Sequence, residues 1–350
     1  MIKLPERYVA LLILMVVSAI WGGTFFMIKD ATAIFPVMGF LVLRFTLATG
    51  VMFPLVLRVG RLPTRVEWVW GVLAGALLTG GYMFQTFSMR FNDSGRTGFI
   101  TSLYAVIVPF MALILLKQPI TRRILIGTGL ALIGLILLGY APGGTSLGDG
   151  LAILSTFIWA LQIVAVSRFP RTADWRIMTI LQLGSNAFFC GILFLILPIF
   201  RGCAGANAVC DALLPFADPL PTELPLMVFG VALFTAIFAS ALGFSVQIWA
   251  QRRISASEAA IIYAMESPFS AVFGVAFRNE VLTPTGIFGG MLIVIGVIVA
   301  TVTPNLKTQP AQEPIIPGAP VLPPRRTRRF LERASTRLPR LSPTRKDTNV

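Results

Sequence analysis

Apolar residues in this chain come in blocks of about twenty, broken by short links that hold most of its charge. The blocks fall at 8–28, 35–57, 68–89, 97–116, 124–140, 150–167, 177–199, 224–249, 259–277 and 285–302. Each is near the ~20 residues a helix needs to cross a bilayer core, and none shows the short alternating pattern of a membrane β-strand. The pattern predicts an all-α integral membrane protein with ten transmembrane helices.

Composition agrees with the pattern. Of 350 residues 56% are hydrophobic and only 13% charged, against roughly 25% charged in soluble domains. Charge then sets orientation. Alternate links carry Lys3 and Arg7; Arg58, Arg61 and Arg65; Lys117, Arg122 and Arg123; Arg168, Arg171 and Arg176; and Arg252 and Arg253. The opposite links hold Lys29, Arg90, Arg96, Arg201 and Arg278. By the positive-inside rule both termini face the cytoplasm, in an inner membrane. The net charge of +14 therefore follows topology and the tail, and no nucleic-acid partner is expected. Val17-Ser18-Ala19 has the small residues of a signal-peptidase site, but cleavage there would put the remaining links on the wrong sides. The first helix is expected to stay.

The chain matches itself at an offset of 162, which pairs Gly81 with Gly243, Gln85 with Gln247, Thr121 with Thr283, Gly127 with Gly289 and Gly134 with Gly296. Nearer the N-terminus the offset is 138, pairing Trp21 with Trp159 and Arg44 with Gln182. The change locates an insertion at 200–223 in the second copy. The reading is two five-helix repeats, 1–140 and 141–302, followed by a tail at 303–350. An odd helix number makes the copies inverted, which is the sequence sign of a secondary transporter with its site near mid-bilayer.

Several motifs resemble the EamA-like branch of the drug/metabolite transporter superfamily. They are Ala19-Ile-Trp21-Gly-Gly-Thr24, the run from Pro36 to Arg44, Ser94-Gly-Arg-Thr-Gly-Phe-Ile-Thr-Ser-Leu-Tyr104, and Ser255-Ala-Ser-Glu-Ala-Ala260 followed by Glu266. The resemblance covers about residues 8–302. It implies a ten-helix inner-membrane carrier, commonly an exporter of amino acids, metabolites or drugs. The chain departs from the family's usual Glu-Pro at Glu266-Ser267-Pro268, and has Gln118 where a Glu is common.

An ionisable residue deep in a membrane helix costs roughly 2.5–3.5 kcal/mol on insertion scales, so it usually faces the bundle interior or water. Glu266, whose counterpart in the first copy is Tyr104, either takes and releases a proton during transport or is a fixed acceptor that ties down its helix. Arg44 either binds a substrate carboxylate or phosphate through its forked donors or locks the halves together, and its counterpart Gln182 is neutral. Gln85 and Gln247 offer donors and acceptors to a polar ligand or to a neighbouring helix. Trp21, Tyr82 and Trp159 are candidates to line an apolar cavity, or to pack or face lipid instead. Gly71 with Gly75, and Gly286 with Gly290, have the spacing of close helix contacts.

Cys203 and Cys210 lie in the insertion on the non-cytoplasmic side and are expected to form a disulfide, whereas Cys190 is a buried apolar residue. The tail, Pro-rich and then Arg-rich, is expected to be disordered and able to rest on anionic lipid. With no histidine and no phosphate-binding loop, neither an enzyme, a cofactor nor a metal site is expected. The reading is an alternating-access carrier of a small molecule in a lipid bilayer. The alternatives are a non-transporting membrane receptor or assembly factor, and an integral-membrane transferase.

Overall fold

The computed structural model describes residues 5–139, 146–170, 172–203, 205–278, 281 and 283–302. All regular structure among them is helical. In chain order the helices are α1 (Glu6–Ile34), α2 (Val37–Leu57), α3 (Arg65–Ser88), α4 (Ser94–Ser102), α5 (Tyr104–Leu116), α6 (Arg122–Gly139), α7 (Leu147–Ser167) and α8 (Trp175–Ile196). They continue with α9 (Ala208–Leu213), α10 (Leu226–Phe234), α11 (Gly243–Gln251), α12 (Ala256–Tyr263), α13 (Glu266–Arg278) and α14 (Pro284–Thr301). The tail expected to be disordered lies outside the described residues.

Nine helical stretches among the described residues are long and apolar enough to cross a membrane. Some join consecutive elements, such as α4 with α5 (Ser94–Leu116) and α12 with α13 (Ala256–Phe277). α3 is not among the nine, because Gly, Thr, Trp, Tyr and Gln residues dilute its apolar run. At 24 residues it is about 36 Å long at 1.5 Å per residue. The outward surface is apolar, with Leu12, Val16, Phe53, Ile114, Phe188 and Leu195 all exposed. In a protein this rich in membrane helices, that surface is the one that touches lipid.

Helix starts are set by capping boxes that do a second job. Thr64 with Glu67 opens α3, Ser146 with Asp149 opens α7, and Ser255 with Glu258 opens α12. Each hydroxyl accepts an early backbone N–H while the acid accepts from the capping residue, so orphan donors are satisfied. Each acid also pairs with an arginine: Glu67 with Arg61, Asp149 with Arg96 of α4, and Glu258 with Arg7 of α1. Asp174 caps α8, and the Arg176 guanidinium beside it holds its carboxyl below the usual aspartate range.

Two spans are broken in the same way. Leu103 donates its N–H to Ile100 and Val106 to Leu103, tightening the chain between α4 and α5. Met265 bonds Ile262 and Ser267 bonds Ala264 between α12 and α13, where Pro268 has no N–H for the Ala264 carbonyl. Continuous helices over 97–116 and 259–277 are thus replaced by pairs, and their junctions, Leu103 and Met265, are counterparts in the two copies. The span expected at 224–249 is also interrupted, by a π-helical segment at Thr235–Leu242.

α6 packs along α14, α2 along α8, α3 along α7 and α8, and α1 along α13. The α6–α14 seam is made of glycines. A Cβ on Gly134 would come 2.5 Å from the Gly289 carbonyl, and one on Gly127 would come 2.6 Å from that of Gly296. Gly71 and Gly75 do pack closely, against Leu181 and Ser185 of α8, but Gly290 meets open space. The close α14 contact therefore uses Gly289 and Gly296.

Candidate functional site: a polar and aromatic cavity in the helix bundle

A cavity in the helix bundle is walled by α1, α2, α3, α4, α5, α7, α11, α12 and α13. Trp21, Arg44, Tyr82, Gln85, Tyr104, Trp159, Gln247 and Glu266 all line it. Gln182 does not. It is buried in α8, which packs on both α2 and α3; its backbone carbonyl lies against Gly75, and neither amide atom has a partner among the described residues.

Glu266 is the first residue of α13, placed there by the break after α12. Its Oε1 accepts from Tyr104 Oη at 2.9 Å and from Ser102 Oγ at 3.1 Å. Tyr104 is likewise the first residue after the break between α4 and α5. Ser102 Oγ is 2.8 Å from Ser267 Oγ, which donates to the Gly98 carbonyl at 3.3 Å. One carboxylate oxygen is therefore held by two hydroxyls from the other broken span. A group bonded this way changes its partners when its protonation changes, because only the ionised form accepts at both oxygens.

Arg44 is 1% exposed. Its Nε donates to Ser240 Oγ at 2.9 Å and its Nη2 to Tyr82 Oη at 3.2 Å. The guanidinium carbon lies 4.7 Å from the Tyr82 ring centre and 5.1 Å from that of Phe45. Nη1 has no partner among the described residues. Ser240 reaches Arg44 from the π-helical segment, which also offers the Ala239 carbonyl to Trp21 Nε1 at 2.8 Å.

The aromatic walls interlock through glycines. Trp159 covers Gly81, where a Cβ would meet its ring at 3.0 Å, and Trp21 covers Gly243, where a Cβ would meet its Nε1 at 2.9 Å. Tyr82 meets Trp159 edge-on at 4.8 Å between ring centres, and Trp21 lies 5.2 Å from Tyr263. Gln247 exchanges two hydrogen bonds with Gln162, at 3.2 and 3.0 Å, so it ties α11 to α7. Gln85 lines the cavity from α3.

Sequence reasoning missed Gln162, Thr24, Ser102, Ser240 and Tyr263. The same offset that pairs the two tryptophans also pairs Thr24 with Gln162, so that signal was present. Ser240 carries none, because its role depends on the π-helical segment.

Cys203 and Cys210 are joined by a disulfide with a Cα–Cα distance of 5.8 Å, and Cys190 is a buried free thiol. The described residues contain no cluster of three or more His, Cys, Asp or Glu side chains suited to a metal.

The EamA-like transporter family matches residues 8–140 and 146–302. The chain belongs to the EamA-like transporter family. Its relatives include two uncharacterized transporters of Archaeoglobus fulgidus. One is 29% identical, covering 85% of this chain and 87% of the relative; the other is 26% identical, covering 83% and 96%. A solved crystal structure superposes with a TM-score of 0.65 over 84% of this chain and 97% of its own, at 18% identity. That likeness concerns the fold. This EamA-family protein is a multi-pass membrane transporter, and a transporter has a small-molecule substrate.

Proposed function

We propose that the protein is a secondary carrier working by alternating access, built from ten helices as two inverted five-helix repeats, 1–140 and 141–302. Both termini lie in the cytoplasm of a cell with an inner membrane, and export of small metabolites, amino acids or drugs is the favoured direction. Glu266 is the coupling group, exchanging a proton as the cavity turns from one side to the other. The observation that carries this reading is the Tyr104 to Glu266 hydrogen bond. It joins counterparts of the two copies, each heading a helix after a break, inside a cavity. The reciprocal seating of Trp21 on Gly243 and Trp159 on Gly81 supports the repeat. Carriers with such repeats place substrate and ion sites between their halves at discontinuous helices.

The test uses purified protein in liposomes holding a pH-sensitive dye, with and without an imposed proton gradient, challenged with pools of amino acids and amphipathic drugs. Proton movement that follows substrate and disappears in Glu266→Gln is expected. Substrate movement indifferent both to the gradient and to Glu266→Gln would make the protein a facilitator, with Glu266 a fixed acceptor.

A further inference from the structure

Arg44 poses a problem of charge. Arg7, Arg61, Arg90, Arg96, Arg176 and Arg253 each form an ion pair with a carboxylate. Arg44 is more deeply buried than any of them and pairs with none among the described residues. Its neighbours are one serine hydroxyl, one phenol and two ring faces. Ring faces supply about 2 kcal/mol to a desolvated cation, less than the several kcal/mol that burying an ion costs. Glu266, the only carboxylate on the cavity wall among the described residues, accepts from Tyr104 and Ser102 instead. The cation thus lines a cavity with Nη1 unpartnered and no counter-charge among the described residues.

We propose that the missing counter-ion is the substrate: a monoanion whose carboxylate lies on Arg44 and whose apolar body lies against Trp21, Phe25, Ile28 and Trp159. One charge is specified because one cation is available, whereas a phosphate monoester would bring a charge nearer two. A carboxylate fits because a guanidinium binds it with planar, charge-assisted bonds, shorter and stronger than those to Tyr82 and Ser240. The apolar walls exclude water, which strengthens that bond and leaves the body to be held by burial alone. This inference deepens the carrier reading by naming a substrate class, and rests on it only for the word substrate.

Binding can be measured without transport. Full-length protein in detergent is titrated with three ligands of one shape, 3-phenylpropionate, 3-phenylpropionamide and 3-phenylpropylamine, and with indole-3-acetate, indole-3-acetamide and tryptamine. Midpoints of thermal unfolding report affinity, since a ligand that binds only the folded state raises them. The carboxylate of each set is expected to bind at least tenfold tighter than its amide. That ratio should fall to near one in Arg44→Gln and be intermediate in Arg44→Lys, which keeps charge but loses the fork. Amides or amines binding as well as the acids, or an acid preference that survives Arg44→Gln, overturns the proposal. If Arg44→Gln does not fold, the wild-type acid-to-amide ratio still decides. Acid-selective binding without flux in liposomes would remove the carrier reading and keep the anion site; flux that treats acids and amides alike would do the reverse.

Discussion

Two helix starts, α7 and α12, are held in similar ways but not with equal strength. Arg96 and Glu258 are counterparts in the two copies, so the two ties occupy corresponding places in the chain with their charges exchanged. At α7, Asp149 receives a two-pronged grip from Arg96, at 2.8 and 2.6 Å, and a third bond from Asn92 at 3.0 Å. At α12, Glu258 receives one prong from Arg7, whose same nitrogen also reaches the Thr301 carbonyl. The arginines are equally exposed, at 27% and 26%, so solvent does not explain the difference. A forked bond resists rotation as well as separation. The lesson is that opening the bundle at α7 requires breaking more than opening it at α12.

Three changes break or sharpen this contrast. The largest effect is expected from Asp149→Ala, which removes a cap, the fork and the Asn92 bond together. It should destabilise by about 2–3 kcal/mol, read as a lowered midpoint in thermal unfolding of detergent-purified protein. Glu258→Ala removes a cap and one prong, and should lower the midpoint less, by about 1–2 kcal/mol on the same scale. An equal or larger drop from Glu258→Ala would cancel the contrast. The smallest effect concerns Asp174, the other acid whose grip comes from a nearby arginine. Its carboxyl is held below the ordinary range chiefly by hydrogen bonds from Arg176, so its contribution is present above the unfolded aspartate value of about 3.9 and is lost as pH falls below it. Between pH 6 and pH 3 wild-type stability should fall, and Asp174→Asn should fall by roughly 0.5–1 kcal/mol less.

Much of the fold was legible because burial in lipid writes itself into hydropathy. The apolar blocks marked the helices, and the Gly127/Gly289 and Gly134/Gly296 spacings marked the residues that became the α6–α14 seam. Of the candidate site, the residues around Trp21, Trp159, Tyr104 and Glu266 could be read because the chain repeats them at fixed offsets. What could not be read was backbone phase. The breaks at Leu103 and Met265 arise from hydrogen bonds that hydropathy does not encode, and they put Tyr104 and Glu266 at helix starts. Gln182 shows the reverse error: its offset matched Arg44, but α8 is packed from two sides and leaves that residue away from the cavity.

The π-helical segment at Thr235–Leu242 has a consequence for how this protein tolerates change in length. Such a turn holds one residue more than an α-helical turn, so deletion of one residue there would restore ordinary helix. Everything after it would rotate by about 100°. Gly243 would turn away from Trp21, and Gln247 would lose Gln162. A deletion that leaves hydropathy untouched would thus redraw one wall of the cavity, so alignments that slide a gap through 235–242 equate residues facing opposite directions.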